Sequence, residues 1–314
     1  MSPGAVVVQA PARLHLGLLD LRGDLGRRFG GIGAALESPS LLLEARRGDT
    51  LSVEGDEAER IRLSARRFLE HHAIGAGASL RLRRAIPAHS GLGSGTQLAL
   101  ATARALAMLF DRPSGVADLA RATCRGRRSA IGTYVFEQGG FVLEGGRSDD
   151  GDRPAPLLLR RALPPEWRCL LAIPDVPRGL SGAAEEEAFR TLPPPPAALA
   201  ERLAHRILML VLPALAEADL PAFGRGVTEV QALVGEMFRP VQGERFAHPR
   251  VAELVKELLG AGAAGAGQSS WGPAVFGLFG NEEDARRAAD RLAGAGALFV
   301  TPFDNAGARA WSEP

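Results

Sequence analysis

The sequence is almost without lysine: of its 37 lysines and arginines, only Lys256 is a lysine. A Walker-type phosphate loop, which needs Gly-Lys-Ser/Thr, is thereby excluded. Every other cationic contact falls to arginine, whose planar guanidinium grips two oxygens at once. Cysteine is scarce as well. Cys124 and Cys169 stand far apart without partner spacing, which excludes a disulfide framework or cysteine-based metal cluster and leaves two free thiols. HExxH, CxxC and GxSxG are missing and no GxGxxG dinucleotide fingerprint appears, which argues against zinc proteases, serine hydrolases and Rossmann dehydrogenases. No apolar run reaches membrane-spanning length. The opening MSPGAVVVQAPARLHLG has no basic segment followed by an apolar one and a small-residue cleavage site, so a cytoplasmic protein is expected. The net charge of +1 supplies no global field for nucleic acid or membrane, and any anion site must be local.

What is present suits a folded protein of two domains: 314 residues, 46% hydrophobic and 23% charged. Residues 5–19 read as apolar extended segments, and SPSLLLEARRGDTLSVEG as two short strands joined at Gly48 and Asp49. A surface helix is predicted over 58–72, a strand in SLRLRRAIP, and a nearly all-apolar helix over 98–110. A helix over 114–124 follows, then a loop and hairpin in RGRRSAIGTYVFEQGGFVLEGG. Beyond the polar DDGDRPAP come a buried strand (WRCLLAIP), helices over 197–218, 221–237, 248–259 and 282–293, and a strand over 297–302. The expectation is an α+β protein with domains at 1–160 and 161–314.

Four stretches carry candidate chemistry. In HSGLGSGTQ, Gly91, Gly93 and Gly95 alternate with Ser90, Ser94 and Thr96 before Gln97, between a strand and a helix. Such a loop converges N–H groups and a helix dipole on phosphate, although it also suits a turn that caps a buried helix. In LHLGLLDLRGDLGRRFGGIG, Asp20 closes a strand ahead of Arg27 and Arg28. That carboxylate suits Mg²⁺, a hydroxyl or a salt bridge, and the surrounding glycines suggest that something approaches closely. Arg127, Arg128 and Ser129, beside an apolar Ala-Ile-Gly, suit a phosphate or carboxylate clamp, whereas Arg125 reads as solvated. Gln268, Ser269, Ser270 and Trp271 form a glycine-flanked loop, in which Trp271 offers a flat ring to a planar substrate or else belongs to the core. His15 alternates with Leu14 and Leu16 and is a structural histidine or one facing a site.

The ordered set PARLHLG, PAHSGLGSGTQLAL and GQSSWGPAVFGL resembles the three motifs of the GHMP kinase superfamily across nearly the whole chain. The resemblance implies a GHMP-kinase-like two-domain fold, with a ribosomal S5 domain 2-like N-terminal domain and a ferredoxin-like C-terminal domain. The kinases usually read GLGSS where Gly95, Thr96 and Gln97 follow GLGS here. Many also place an aspartate base where residues 129–138 contain none. The fuller phrases RLHLGLLDL…GRRFGGIG, HSGLGSGTQLAL, RGRRSAIGT…FEQGGFV, GLSG…E..AF and GQSSWGPAVFGL resemble one branch, the β-ribofuranosylaminobenzene 5′-phosphate synthases. For that branch the resemblance implies 5-phosphoribosyl 1-pyrophosphate (PRPP) and 4-aminobenzoate or 4-hydroxybenzoate as substrates, CO2 and pyrophosphate as released products, and a C-glycoside that leads to methanopterin-type carriers. It implies Mg²⁺ as cofactor and a homodimer. Carried onto this sequence, Asp20 binds Mg²⁺ or ribose. Arg27, Arg28, Arg127, Arg128 and Ser129 take phosphate or carboxylate, the loop from Ser90 to Gln97 takes pyrophosphate, and Gln268 to Trp271 enclose the acceptor. A small-molecule kinase and a non-catalytic phosphate-ligand binding protein are the alternatives.

Overall fold

The computed structural model describes residues 4–126, 128–148, 154–180 and 182–313, so Arg127 lies outside the described residues. A long antiparallel hairpin organises the first sheet. Its arms are β1 (Ala5–Asp20) and β2 (Arg27–Gly48), paired from Val6 opposite Ala45 to Asp20 opposite Phe29 with shifts of register between Pro11 and Ala12 and between His15 and Gly17. Both are apolar along most of their length, as strands covered on both faces must be. Beyond β2 come β4 (Gly77–Arg84) and, parallel to it, β3 (Ser52–Glu54). β5 (Phe141–Glu144) and β6 (Arg147–Ser148) also pair with β2, and β7 (Leu157–Arg161) pairs with β5. The last strand of the chain, β12 (Arg309–Glu313), returns to the free edge of β1.

Against this sheet lie α1 (Ala58–His71), α2 (Ser94–Leu109), α3 (Val116–Ala122) and α4 (Ile131–Gln138). The apolar α2 is at the centre, touching β1, β2 and the other three helices. It begins at Ser94, directly on the glycine loop and one turn earlier than the apolar pattern indicates, because Thr96 and Gln97 of its polar first turn pack on Gly132 of α4. The glycine-rich RRFGGIG is strand rather than loop. Its close neighbour is the protein itself: a Cβ on Gly33 would stand 2.5 Å from Ile131 Cγ2 and 2.6 Å from the Leu14 carbonyl oxygen. Ile131 belongs to α4, where a loop was expected; the helix is stabilised by burying Ile131, Val135 and Phe136 on the hairpin.

The second sheet runs β11 (Ala297–Pro302), β8 (Arg168–Ile173), β10 (Val275–Phe279) and β9 (Gly265–Gln268), all antiparallel. Its apolar cover comes from α9 (Pro249–Gly260) and α10 (Glu282–Arg291). The predicted 197–218 helix is α6 (Ala197–Arg206), a π-helical turn (Ile207–Val211) and α7 (Leu212–Glu217). The long α8 (Leu220–Gln242) contacts both β1 and β9. Its buried Gln231 is the latch: Nε2 donates to the Leu16 carbonyl of β1 at 2.6 Å, and Oε1 accepts from the Gln268 amide of β9 at 2.9 Å. Between β8 and α6, the short α5 (Gly182–Thr191) buries only Ala188 among its described residues and sets Phe189 against Phe29 and Trp271. Among the described residues, no helix is long and apolar enough to cross a membrane.

Candidate active site

Where the end of β1, the loop before α4, α5, α8 and the loop after β9 converge, they leave a partly open cleft. Its wall is aromatic. Trp271 meets Phe238 edge-on with ring centres 4.6 Å apart and Phe189 at 5.5 Å, and Phe189 meets Phe29 at 5.6 Å. A flat ring fits such a box on quadrupolar as well as apolar grounds. The polar lining includes Arg13, His15, Arg128, Ser129, Glu185, Arg245, Gln268 and Ser270.

The glycine loop adjoins this box through Arg13. The Gly91 carbonyl accepts from Arg13 Nη1 at 3.2 Å and from the Ser269 hydroxyl at 2.8 Å, while the Ser269 oxygen accepts from the His15 amide at 3.0 Å. Ser269 is thus a buried joint between loop, strand and second sheet. Gly93, at φ 71°, begins α2 with no side-chain cap, and the Arg13 guanidinium lies against it. Arg60 and Arg125 close over Gly95. Burial, then repulsion from Arg60 and Arg67, lowers the Arg125 pKa; burial lowers that of Arg13 to about 10. The Nε atoms of both are buried without a partner. Guanidinium N–H groups left unpaired beside a bare helix N-terminus suit an anion.

Of the residues singled out in the sequence, the fold brings His15, Arg128, Ser129, Gln268, Ser270 and Trp271 onto one wall. Ser90, Gly91, Gly93, Ser94 and Gly95 form the adjoining loop and helix start, with the Ser90 hydroxyl donating to the Pro87 carbonyl at 2.8 Å. Gln97 is buried and spends its Nε2 on the Gly132 carbonyl at 2.9 Å, and Thr96 packs on Gly132, so both face α4 rather than the cleft. Asp20, Arg27 and Arg28 are not on the cleft wall. Asp20 Oδ1 accepts from the Arg22 amide at 2.6 Å, Arg27 donates to the Gly146 carbonyl at 3.0 Å, and Arg28 to the Leu21 carbonyl at 3.1 Å. Arg125 is not the solvated residue expected, since its position after α3 turns it toward α1 and the glycine loop.

Sequence reasoning missed Arg13, Arg60, Phe29 and Arg245. Glu185 and Phe189 stood in the family phrase GLSG…E..AF without a role; four apart on α5, they share a face. Glu185 binds Arg128 at 3.1 Å and accepts from Trp271 Nε1 at 3.2 Å, and the Arg128 guanidinium lies 5.5 Å from the Phe189 ring centre. These carboxylate assignments leave no cage for Mg²⁺. Glu57 pairs with Arg60, Glu185 with Arg128, and Asp20 closes its own turn, so the described residues around the loop do not fit a protein-held divalent ion.

Behind Ser129 lies Glu144, fully buried. Desolvation raises its carboxyl to about 7, against the amides of Gly146 and Ala130 and the Ser129 hydroxyl, which favour the charged form. The unfolded carboxyl titrates near 4.5, so between 4.5 and about 7 the folded protein binds the extra proton and stability falls as pH rises. Glu144→Gln should remove this component, worth up to about 1.4 kcal/mol per pH unit. Urea unfolding of both proteins from pH 5 to 7 checks it, and parallel stability curves would contradict it.

Two family patterns match the chain: the GHMP kinases N terminal domain over residues 59–139 and the GHMP kinases C terminal domain over 211–298. The β-ribofuranosylphenol 5′-phosphate synthase of Methanothermobacter thermautotrophicus is 36% identical, the alignment covering 96% of this chain and 98% of that protein. The protein of the same name from Methanocaldococcus jannaschii is 31% identical over 98% of this chain and 100% of its own length. Among solved structures, Leishmania major mevalonate kinase in complex with R-mevalonate superposes with a TM-score of 0.73 at 15% identity, covering 95% of this chain and 96% of that one, a likeness of fold alone.

Proposed function

Because the chain belongs to the β-ribofuranosylphenol 5′-phosphate synthase family and has the GHMP kinase fold, we propose that it joins the 5-phosphoribosyl group of PRPP to a para-substituted benzoate, releasing CO2 and pyrophosphate. The observation that carries this reading is the junction of an anion site with an aromatic box, with Arg13 belonging to both. A polyphosphate on the glycine loop thereby lies beside a planar acceptor. The kinase alternative lacks its base: Glu185 is the only carboxylate among the described lining residues, and Arg128 and Trp271 hold it.

In this reading the start of α2 with Arg13, Arg60 and Arg125 takes the charge that develops on departing pyrophosphate. A divalent ion arrives with the phosphates as part of the substrate. The aromatic walls hold the acceptor ring over ribose C1 and keep water from the electron-poor carbon left there. The ring carbon bearing the carboxylate attacks C1, and loss of CO2 restores aromaticity without a covalent enzyme nucleophile. The test is the product of PRPP and 4-hydroxybenzoate, analysed by mass spectrometry before and after acid. A decarboxylated ribosyl-phosphate adduct that survives acid is expected, since its link is C–C. An acid-labile glycoside, or a product formed only with ATP, would overturn the reading.

A further inference from the structure

His15 is 6% exposed and lines the cleft, yet its hydrogen bonding is confined to the backbone: its amide donates to Ser269, and neither ring nitrogen has a partner among the described residues. Burial, and then the charge of Arg13, holds its pKa well below the usual histidine value, so the ring is neutral near pH 7 and keeps a free lone pair. The charged groups facing the same cleft are Arg13, Arg128, Glu185 and Arg245. None of them hydrogen-bonds or ion-pairs with the imidazole.

Position along β1 gives this ring a place relative to the reacting atoms. Arg13 and His15 are two apart in unbroken register, opposite Ala35 and Gly33, so they point to the same side from Cα atoms roughly 6.6 Å apart. That spacing is close to the length of a para-disubstituted benzene ring. With pyrophosphate at Arg13 and the attacking carbon next to it, the para substituent falls at His15.

Resting on the reaction proposed above, we propose that His15 is the general base for a para-hydroxyl acceptor. As the ring carbon bonds ribose C1, the C1–O bond breaks and its electron pair leaves with pyrophosphate. The electrons of the para O–H bond feed the ring, giving a cyclohexadienone, and the proton passes to the imidazole. The C–CO2 bond then breaks, its electrons restore the aromatic ring, and the oxygen recovers the proton from the imidazolium. Nothing is oxidised or reduced, and no proton is gained or lost overall. A weak base suffices, because a hydroxyl on a ring that has given up its electrons is far more acidic than an imidazolium, and a weak base returns the proton readily. A para amino group behaves differently: its lone pair pushes without losing a proton, so 4-aminobenzoate does not need His15.

The test compares acceptors in wild type and His15→Gln, a variant that can hydrogen-bond but not carry the proton. With 4-hydroxybenzoate, kcat should fall about a hundredfold, in the range for loss of general acid–base help. With 4-aminobenzoate the loss should be far smaller, and an unchanged thermal melt shows the variant folded. Wild type should fail to convert 4-methoxybenzoate, whose oxygen has no proton to give. Equal losses with both acids, no loss with either, wild-type turnover of the amino acid alone, or turnover of the methoxy acid would each overturn the role of His15. Absence of PRPP-dependent turnover with every acid would instead overturn the reaction on which it rests.

Discussion

Arg13→Met should lower kcat/KM for PRPP by at least about a hundredfold while leaving the protein folded, the scale of loss when a preorganised donor to developing charge is removed. Arg13 is the one described side chain that belongs to both halves of the site: it donates to Gly91, lies against Gly93 and lines the aromatic cleft. Methionine fills similar space, and Ser269 still donates to the Gly91 carbonyl, so the loop keeps a partner. What disappears is the charge, with an Nε that has no protein partner to lose. Steady-state kinetics against PRPP, with thermal melting as control, reads the effect. Unchanged kinetics in a folded variant would show that pyrophosphate does not bind at this loop.

The second large effect is expected from Gly91→Ala. Gly91 sits at φ +85°, and a Cβ there would fall inside the van der Waals surface of the Ser269 carbonyl oxygen, which is backbone and cannot swing aside. Left-handed strain alone costs about 1–2 kcal/mol, and displacing the Ser269 joint should bring the total to roughly 3 kcal/mol. Gly26→Ala separates the two terms, because Gly26 also has positive φ (+77°) but nothing within 4 Å of its Cβ position. Urea unfolding should therefore rank Gly91→Ala well below Gly26→Ala. Equal losses would show that the loop does not need its close contact with the second sheet.

These positions also show what the linear sequence could convey. Alternation and apolar period were enough to locate β4, α2 and most of α8, because those signals are local. The glycines of RRFGGIG signalled a close approach correctly in kind, but the approaching group is Ile131, a hundred residues away in order of magnitude, on a helix whose short apolar period was read as loop. At the site, Arg128, Ser129, Gln268, Ser270 and Trp271 stood out because polar groups and a tryptophan interrupt glycine-rich or apolar context. Arg60 and Arg125 did not, since each sits among other arginines and only tertiary packing turns it toward the glycine loop. Glu185 is one of three consecutive acids in the linear sequence, and its two partners come from elements remote in sequence. Asp20 looked like a ligand for the converse reason: a carboxylate at a strand end can also satisfy the amides of its own turn.

The central claim is that a kinase-like fold here serves glycosyl transfer with loss of CO2. Its most direct measurement is the count of labelled CO2 released from carboxyl-labelled 4-hydroxybenzoate or 4-aminobenzoate by purified protein, with PRPP in one arm and ATP in the other. Release that requires PRPP and is indifferent to ATP is predicted. No release in the PRPP arm, together with ATP-dependent phosphorylation of a sugar or amino alcohol, would contradict it.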